Sequence, residues 1–398
     1  MRAPLESGAS SPCVSLATPR PEDALLLAAA RDVLLLSEPV GTVSSENIDW
    51  DYLLTHAALH GLVPCLSRFC AHRLGNVDQP FVNRSAADAQ STAAYNLFLS
   101  AELARLVRLL ESQNIPVLAL KGLALAAAAY PDLTIRQCKD IDLMVAPEQV
   151  ESATKVLLDA GYQLRHSDEE VGDHTRNFMR DNPFVVLELH HTIGQRAFAF
   201  SQEFSELRKD AEHLEIVDTS VAAPSAARLL LILCAHGCKH RWERLTWICD
   251  VAALLRARPN LDWDEVTRLA RATRSERMLH IGLLLAEALV AVPIPAPIRQ
   301  RAHADTVAVS MSRMVASWLF LPRNDLRTTL RKRWFLFRMR EDFRDWLPLF
   351  WYYALWSITP NARDRQAMPL PRALGGLYYL IRPLRLLFKA ARKPFFRN

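Results

Sequence analysis

The stretch that decides the fold runs from Ile115 to Val145, IPVLALKGLALAAAAYPDLTIRQCKDIDLMV. IPVLAL is a short continuous apolar run suited to a buried strand, Lys121-Gly122 forms a turn, and LALAAAAY reads as a helix. PDLTIRQ interrupts that helix, and KDIDLMV is a second strand in which acidic and apolar residues alternate. Residues two apart on a strand point to the same side, so Asp140 and Asp142 project together while Ile141 and Leu143 enter the core. Their Cα atoms stand roughly 7 Å apart. Carboxylates held this way suit hard cations about 3.5 to 4 Å from each other. Two acids in apolar surroundings repel, and a bound Mg²⁺ pair supplies the missing positive charge. The competing reading is a solvent-facing edge strand carrying two unremarked acids.

Outward from this stretch, Pro147 to Ala160 predicts a helix and Tyr162 to His166 a strand. Thr175 to Arg180 and Phe184 to His190 read as a hairpin turning through Asp181-Asn182-Pro183. Glu188 shares a strand face with Val186 and His190. If that strand pairs beside the Asp140 strand, three carboxylates converge, as a two-metal phosphoryl or nucleotidyl transfer site requires. At Lys121-Gly122 the glycine permits close approach to a phosphate and the lysine adds a charge-assisted donor. Arg136 is placed to reach a β- or γ-phosphate or else to be a surface arginine, and Lys139 points away on alternation. Residues 115–191 thus form a small α/β unit.

Helical sequence lies on both sides. Residues 1–21 are rich in Ser, Pro and Ala and read as disordered, and 22–114 as a helical domain with an apolar stripe at Leu99, Leu103, Leu106 and Leu110. Residues 192–360 read as a second helical domain walling the cleft. There SAARLLLILCAHGCKHRWERLTWICDVAALLRA gives two helices broken near Gly237. Cys234, His236, Cys238 and His240 fall on two faces of one helix and cannot all close on one zinc, so the cysteines read as core. His236, Trp242, Trp247 and Asp250 line a pocket or pin two helices. Composition removes other classes: 12 glycines do not suggest a dinucleotide loop, and 48 Lys and Arg against 43 Asp and Glu do not make a nucleic-acid platform. No apolar run spans a bilayer and no signal peptide is evident, so neither membrane insertion nor secretion is expected. Seven cysteines suit a reduced, cytoplasmic protein. The segment 361–398 holds nine Lys or Arg against one acid. It reads as a helix docked by its apolar side with arginines outward, and peripheral attachment to an anionic membrane is the alternative.

Taken together, Lys121, Gly122, Tyr130, Pro131, Arg136, Asp140, Asp142, Gly161 and Tyr162, then Glu188-Leu189-His190, then His236, Trp242, Leu245, Trp247 and Asp250 resemble the uncharacterised-type nucleotidyltransferase family of bacteria, a branch of the DNA polymerase β-like superfamily. The resemblance implies an α+β protein, with a small polymerase β-like α/β core embedded in helices. It implies Mg²⁺-dependent transfer of a nucleoside monophosphate from an NTP, ATP first among them, with pyrophosphate leaving. Asp140, Asp142 and Glu188 would be catalytic and bind metal, and Lys121, Gly122 and Arg136 would bind the nucleotide. Two departures stand out: no serine follows the Lys-Gly turn, and His191 replaces an aromatic. The acceptor stays open among peptides, proteins, small biosynthetic intermediates and nucleic acid. Transfer of the γ-phosphate and a non-enzymatic nucleotide-binding scaffold are the other readings.

Overall fold

The computed structural model describes residues 20–35, 47–74, 77–165, 175–194, 200–321, 331 and 334–391. Its organising element is a five-stranded sheet in the order β1-β2-β5-β4-β3. The strands are β1 (Leu118–Ala119), β2 (Ile141–Met144), β3 (Gln163–Arg165), β4 (Thr175–Asp181) and β5 (Phe184–His190). β2 runs parallel to β5 with Asp142 opposite Glu188, while every other pairing is antiparallel. Alternation does the sorting: Ile141, Leu143, Leu187 and Leu189 are almost wholly buried, and each such side chain contributes about 1.5–3 kcal/mol relative to exposure. The intervening acids are thereby turned to the opposite face.

Against the apolar face lies α4 (Gln79–Ser112), whose N-cap Asp78 accepts from the Phe81 N–H, and α6 (Val150–Asp159). The stripe Leu99, Leu103, Leu106 and Leu110 is fully buried there, as its spacing predicts. Glu102, on the same helix, accepts from Tyr162 Oη at 2.6 Å and pairs with Arg180 at 2.9 Å and Arg105 at 2.7 Å. Burial opposes its charge, but these three donors outweigh it and hold the carboxyl down at about 2. This cluster ties α4 to β4 and to the residue that leads into β3.

The remaining helices form a second core shared by both sides of the chain. It joins α1 (Pro21–Leu35), α2 (Trp50–His60) and α3 (Val63–Arg73) to α8 (Ala226–Lys239), α9 (Leu245–Ala257), α11 (Glu276–Leu285) and α13 (Thr306–Trp318), with α5 (Leu123–Ala129) between the two cores. Two features depart from the sequence reading. The stretch between the sheet and α8 holds two short hairpins, β6 (Thr192–Ile193) with β7 (Gln202–Glu203) and β8 (Glu212–Ile216) with β9 (Thr219–Ala223). The second of these adds Ile216, Val221 and Ala223 to the sheet's own core. The expected break near Gly237 is absent too, because α8 runs through it to Lys239. Glycine is there for space: a Cβ would stand 2.6 Å from the Trp242 indole. Reversal follows at Arg241 and Trp242, both in the left-handed region.

The C-terminal segment also departs from expectation. Two of its cations turn inward while Arg365 stays exposed: Arg382 is buried and pairs with the buried Asp364 at 2.9 Å, and Arg385 holds the other oxygen at 2.6 Å. Two arginines on one carboxylate, which also caps the backbone N–H of Asn361, make a charge-assisted strut that pulls the cations inward. Of the expected disordered segment, residues 1–21, residues 1–19 lie outside the described residues and Pro21 already opens α1.

Candidate active site

Between the polar face of the sheet and α8 lies a cleft of about 530 Å³. Lys121, Gly122, Arg136, Asp140, Asp142 and Glu188 all line it. The parallel register brings Asp142 and Glu188 side by side, and His190 comes two residues further along the same face. One oxygen of each carboxylate and a His190 ring nitrogen lie within 4.8 Å of one another.

Asp142 is the buried centre of this wall. Its Oδ1 accepts from Lys121 Nζ at 2.9 Å and meets His190 Nε2 at 3.1 Å. His190 Nε2 is also 3.4 Å from Glu188 Oε2, and its Nδ1 is 3.1 Å from Thr175 Oγ1. Burial alone would raise the Asp142 carboxyl, but the Lys121 charge and the His190 hydrogen bond together drive it well below the usual range. Lys121 is held above its ordinary value, since Asp142, Glu188 and Asp140 outweigh its own burial. Asp140, just before β2, is pushed up to about 6 by burial and by the neighbouring Asp142 charge. Lys121 does not face the three acids alone, because hydrogen bonds to Asp142 and Glu188 hold His190 above its ordinary value against its burial.

Gly122 sits at φ 61°, ψ −115°, a backbone conformation suited to glycine, with the position of a Cβ 3.7 Å from Asp142 Oδ2. The turn thus brings the backbone close against the acids. Arg136 gives a different result. Its Nε and Nη2 donate to the two oxygens of Asp250 at 2.8 and 2.9 Å, and Tyr130 Oη donates to Asp250 Oδ1 at 2.7 Å. The reading of Arg136 as a phosphate ligand gives way to that of a brace between α9 and the segment leading into β2.

The opposite wall comes from α8 and α9. His236 and His240 lie one turn apart with ring centroids 4.6 Å from each other, and Trp247 meets them edge-on at 5.4 Å and tilted at 5.3 Å. Burial, then the Lys121 charge, keeps His236 far below its ordinary value. Burial, then Lys239, pushes His240 down to about 3. Both rings are neutral at pH 7. Trp242 does not join them: it is fully buried, with its N–H on Cys238 Sγ at 3.3 Å. Cys234 and Cys238 are core residues, and burial pushes the Cys238 thiol up to about 12.

Lys139 and Arg244 complete the cleft mouth and also border a second hollow beside α2. Lys139 reaches the cleft because β2 begins only at Ile141, so strand alternation does not govern it. Arg244 lies over Trp247, its guanidinium carbon 5.7 Å from the ring centroid. Among the predicted residues, then, the fold gathers the acids, Lys121 and Gly122 at one wall. Sequence reasoning did not assign His240, Lys139 and Arg244 to the cleft.

The family model described as "Uncharacterised nucleotidyltransferase" matches residues 46–291. No curated protein matches the chain. Similar solved structures include lincomycin-bound LnuA, a lincosamide antibiotic adenylyltransferase, at 14% identity over 33% of this chain and 83% of that one, with a TM-score of 0.26. The antibiotic-resistance factor ANT(2'')-Ia is 14% identical over 47% of this chain and 92% of its own, with a TM-score of 0.31. An antigenic nucleotidyltransferase-like protein from Paracoccidioides brasiliensis is 16% identical over 48% and 93%, with a TM-score of 0.29. Likeness this low leaves the family match to stand alone. That match spans more than half of the chain and takes in the sheet, α8 and α9, and it makes this α+β protein a member of the uncharacterised nucleotidyltransferase family and an enzyme of nucleotidyl transfer.

Proposed function

We propose that the protein transfers a nucleoside monophosphate from an NTP, ATP first among them, to a hydroxyl or phosphate oxygen of an acceptor, with release of pyrophosphate. The observation that carries this reading is the parallel register that sets Asp142 beside Glu188 at the floor of the cleft, with Asp140, just ahead of β2, lining the same cleft. The donor set fits a hard divalent cation: two carboxylates and an imidazole converge within 4.8 Å, and burial together with the Asp142 charge holds Asp140 at about 6. Asp140, Asp142 and Glu188 would hold Mg²⁺, one ion or two, with His190 orienting the carboxylates. When bound, the cation would draw charge from the phosphate oxygens and lower the barrier to displacement at phosphorus.

The chain's own residues do the rest. Lys121 stands at the cleft with its ammonium on Asp142, placed to donate to the triphosphate, and Gly122 keeps the turn open for close approach. Glu188, its side chain 32% exposed, is the carboxylate open to the acceptor and would take its proton. The acceptor oxygen then bonds to the α-phosphorus, the bond from that phosphorus to the pyrophosphate oxygen breaks, and the proton passes from Glu188 to water. Across the cleft, the flat surface of Trp247 with neutral His236 and His240 suits a nucleobase or a planar acceptor.

Incubation with α-labelled and γ-labelled ATP and Mg²⁺, in the presence of a small-molecule and peptide extract, tests the reading. The expected result is α-label on an acceptor and γ-label in pyrophosphate. γ-label on the acceptor would replace it by phosphoryl transfer, and retention of both labels in bound ATP would leave a nucleotide-binding scaffold.

A further inference from the structure

The C-terminal region concentrates exposed apolar surface in a way that the rest of the protein does not. Among the described residues, eighteen large hydrophobic side chains are exposed, and twelve of them lie beyond residue 333. On the helix Trp346–Ile358 the exposed set is Leu347, Phe350, Trp351, Leu355 and Ile358, spaced three or four apart and so sharing one face. The helix Tyr378–Ala391 packs alongside and adds Leu380 and Leu384, one turn apart and 65% and 54% exposed. An apolar surface of this extent on a folded protein marks a contact.

Charge identifies the kind of contact. From Arg331 to Asn398 there are fifteen Lys or Arg against four Asp or Glu, although the whole chain carries only 48 against 43. Asp345 is paired with Arg274 at 2.9 Å, and Asp364 holds Arg382 and Arg385; with these two and the buried Arg340 set aside, twelve Lys or Arg still face three acids. The remainder of the chain is net acidic, so the positive field belongs to this end alone. Tryptophan, phenylalanine and leucine on one face within a strongly cationic segment match the headgroup boundary of an anionic bilayer, where aromatic rings insert and arginines meet lipid phosphates. Among the described residues no helix is long and apolar enough to cross a membrane, so the contact would lie in the interfacial plane.

We propose that the face built from the helices Trp346–Ile358 and Tyr378–Ala391 docks on anionic lipid surfaces and holds the enzyme there. The inference stands on exposure and charge at this end and does not depend on the chemistry of the cleft.

The test is flotation of the full chain with phosphatidylcholine vesicles, with and without phosphatidylglycerol, at low and high salt. The expected result is binding to the phosphatidylglycerol vesicles alone, weakened by salt. The pair Trp351→Glu with Leu355→Glu should weaken it by about tenfold or more while the melting temperature and ATP binding stay unchanged. Leu380→Glu with Leu384→Glu, on the neighbouring helix, should act alike. Absence of binding to phosphatidylglycerol vesicles would overturn the proposal, as would equal binding to both vesicle types or binding that both pairs of substitutions leave intact. A concentration-dependent dimer in sedimentation velocity that the same pairs abolish would assign the face to a second copy of the chain instead.

Discussion

Two buried ion pairs border the same cleft, and they are built differently. Arg136 and Asp250 meet through two hydrogen bonds, one cation to one acid, with Tyr130 on the same carboxylate. Lys121 is a single cation facing three acids, bonded to one of them and held by the field of the other two. The first arrangement is balanced and closed, and it joins elements far apart in sequence. In the second, burial and then the neighbouring Asp142 charge push Asp140 up to about 6, and the acids stand open to the cleft. Burial and pairing alone do not mark an active site; an imbalance of charge opening on a cleft does.

Substituting each pair in turn should separate the two roles. Asp142→Asn is expected to cost about ten-thousandfold in turnover, or ~5 kcal/mol of barrier. The fold should survive, because Asp140 and Glu188 still compensate Lys121, and thermal melting beside single-turnover assays checks both halves. Asp250→Ala should do the reverse. It leaves Arg136 buried beside no acid, and urea unfolding should show a loss of about 3–5 kcal/mol. If the Asp250 variant melts like the wild type while the Asp142 variant unfolds, the assignment of strut and site is the wrong way round.

Lys121→Ala sharpens the contrast on the ligand side. Calorimetry with Mg²⁺ present should show NTP binding weaker by about 1.5–3 kcal/mol, the scale of a charge-assisted hydrogen bond. An unchanged isotherm would confine Lys121 to balancing Asp142.

Much of the sheet was legible because its signals are local. The alternation around Asp140 and Asp142 and the hairpin carrying Glu188 are local patterns, while the β2–β5 pairing that brings the acids together stood only as a condition until the fold supplied it. What stayed hidden depends on partners distant in sequence. Nothing in the Arg136 segment announces Asp250, and nothing around Glu102 announces Tyr162 and Arg180. Gly237 looked like a helix breaker because its reason, the Trp242 ring packed against it, exists only after the chain reverses. The two-residue strands β6 and β7 have no periodicity to detect.

Glu102 gives the smallest predicted effect and a structural counterpart to the cleft acids. Its folded pKa, about 2, lies below the ordinary 4.5. The cluster's stabilisation is therefore complete above about pH 4.5 and is lost as the pH falls toward 2. Glu102→Gln should lower stability at neutral pH by about 1–2 kcal/mol. Its acid-unfolding curve should converge with that of the wild type in this window, and parallel curves down to pH 2 would remove Glu102 from the account.

The central claim, that the acids of β2 and β5 form a cation site and not merely a counter-charge for Lys121, can be measured without knowing the acceptor. Mn²⁺ binding, followed by electron paramagnetic resonance with ATP present, should be readily detected in the wild-type protein. It should weaken by about tenfold or more, at least ~1.4 kcal/mol, in Asp142→Asn and in Glu188→Gln, with circular dichroism unchanged. Equal Mn²⁺ affinity in all three folded proteins would contradict the claim and leave Lys121 and His190 as the partners that this wall holds.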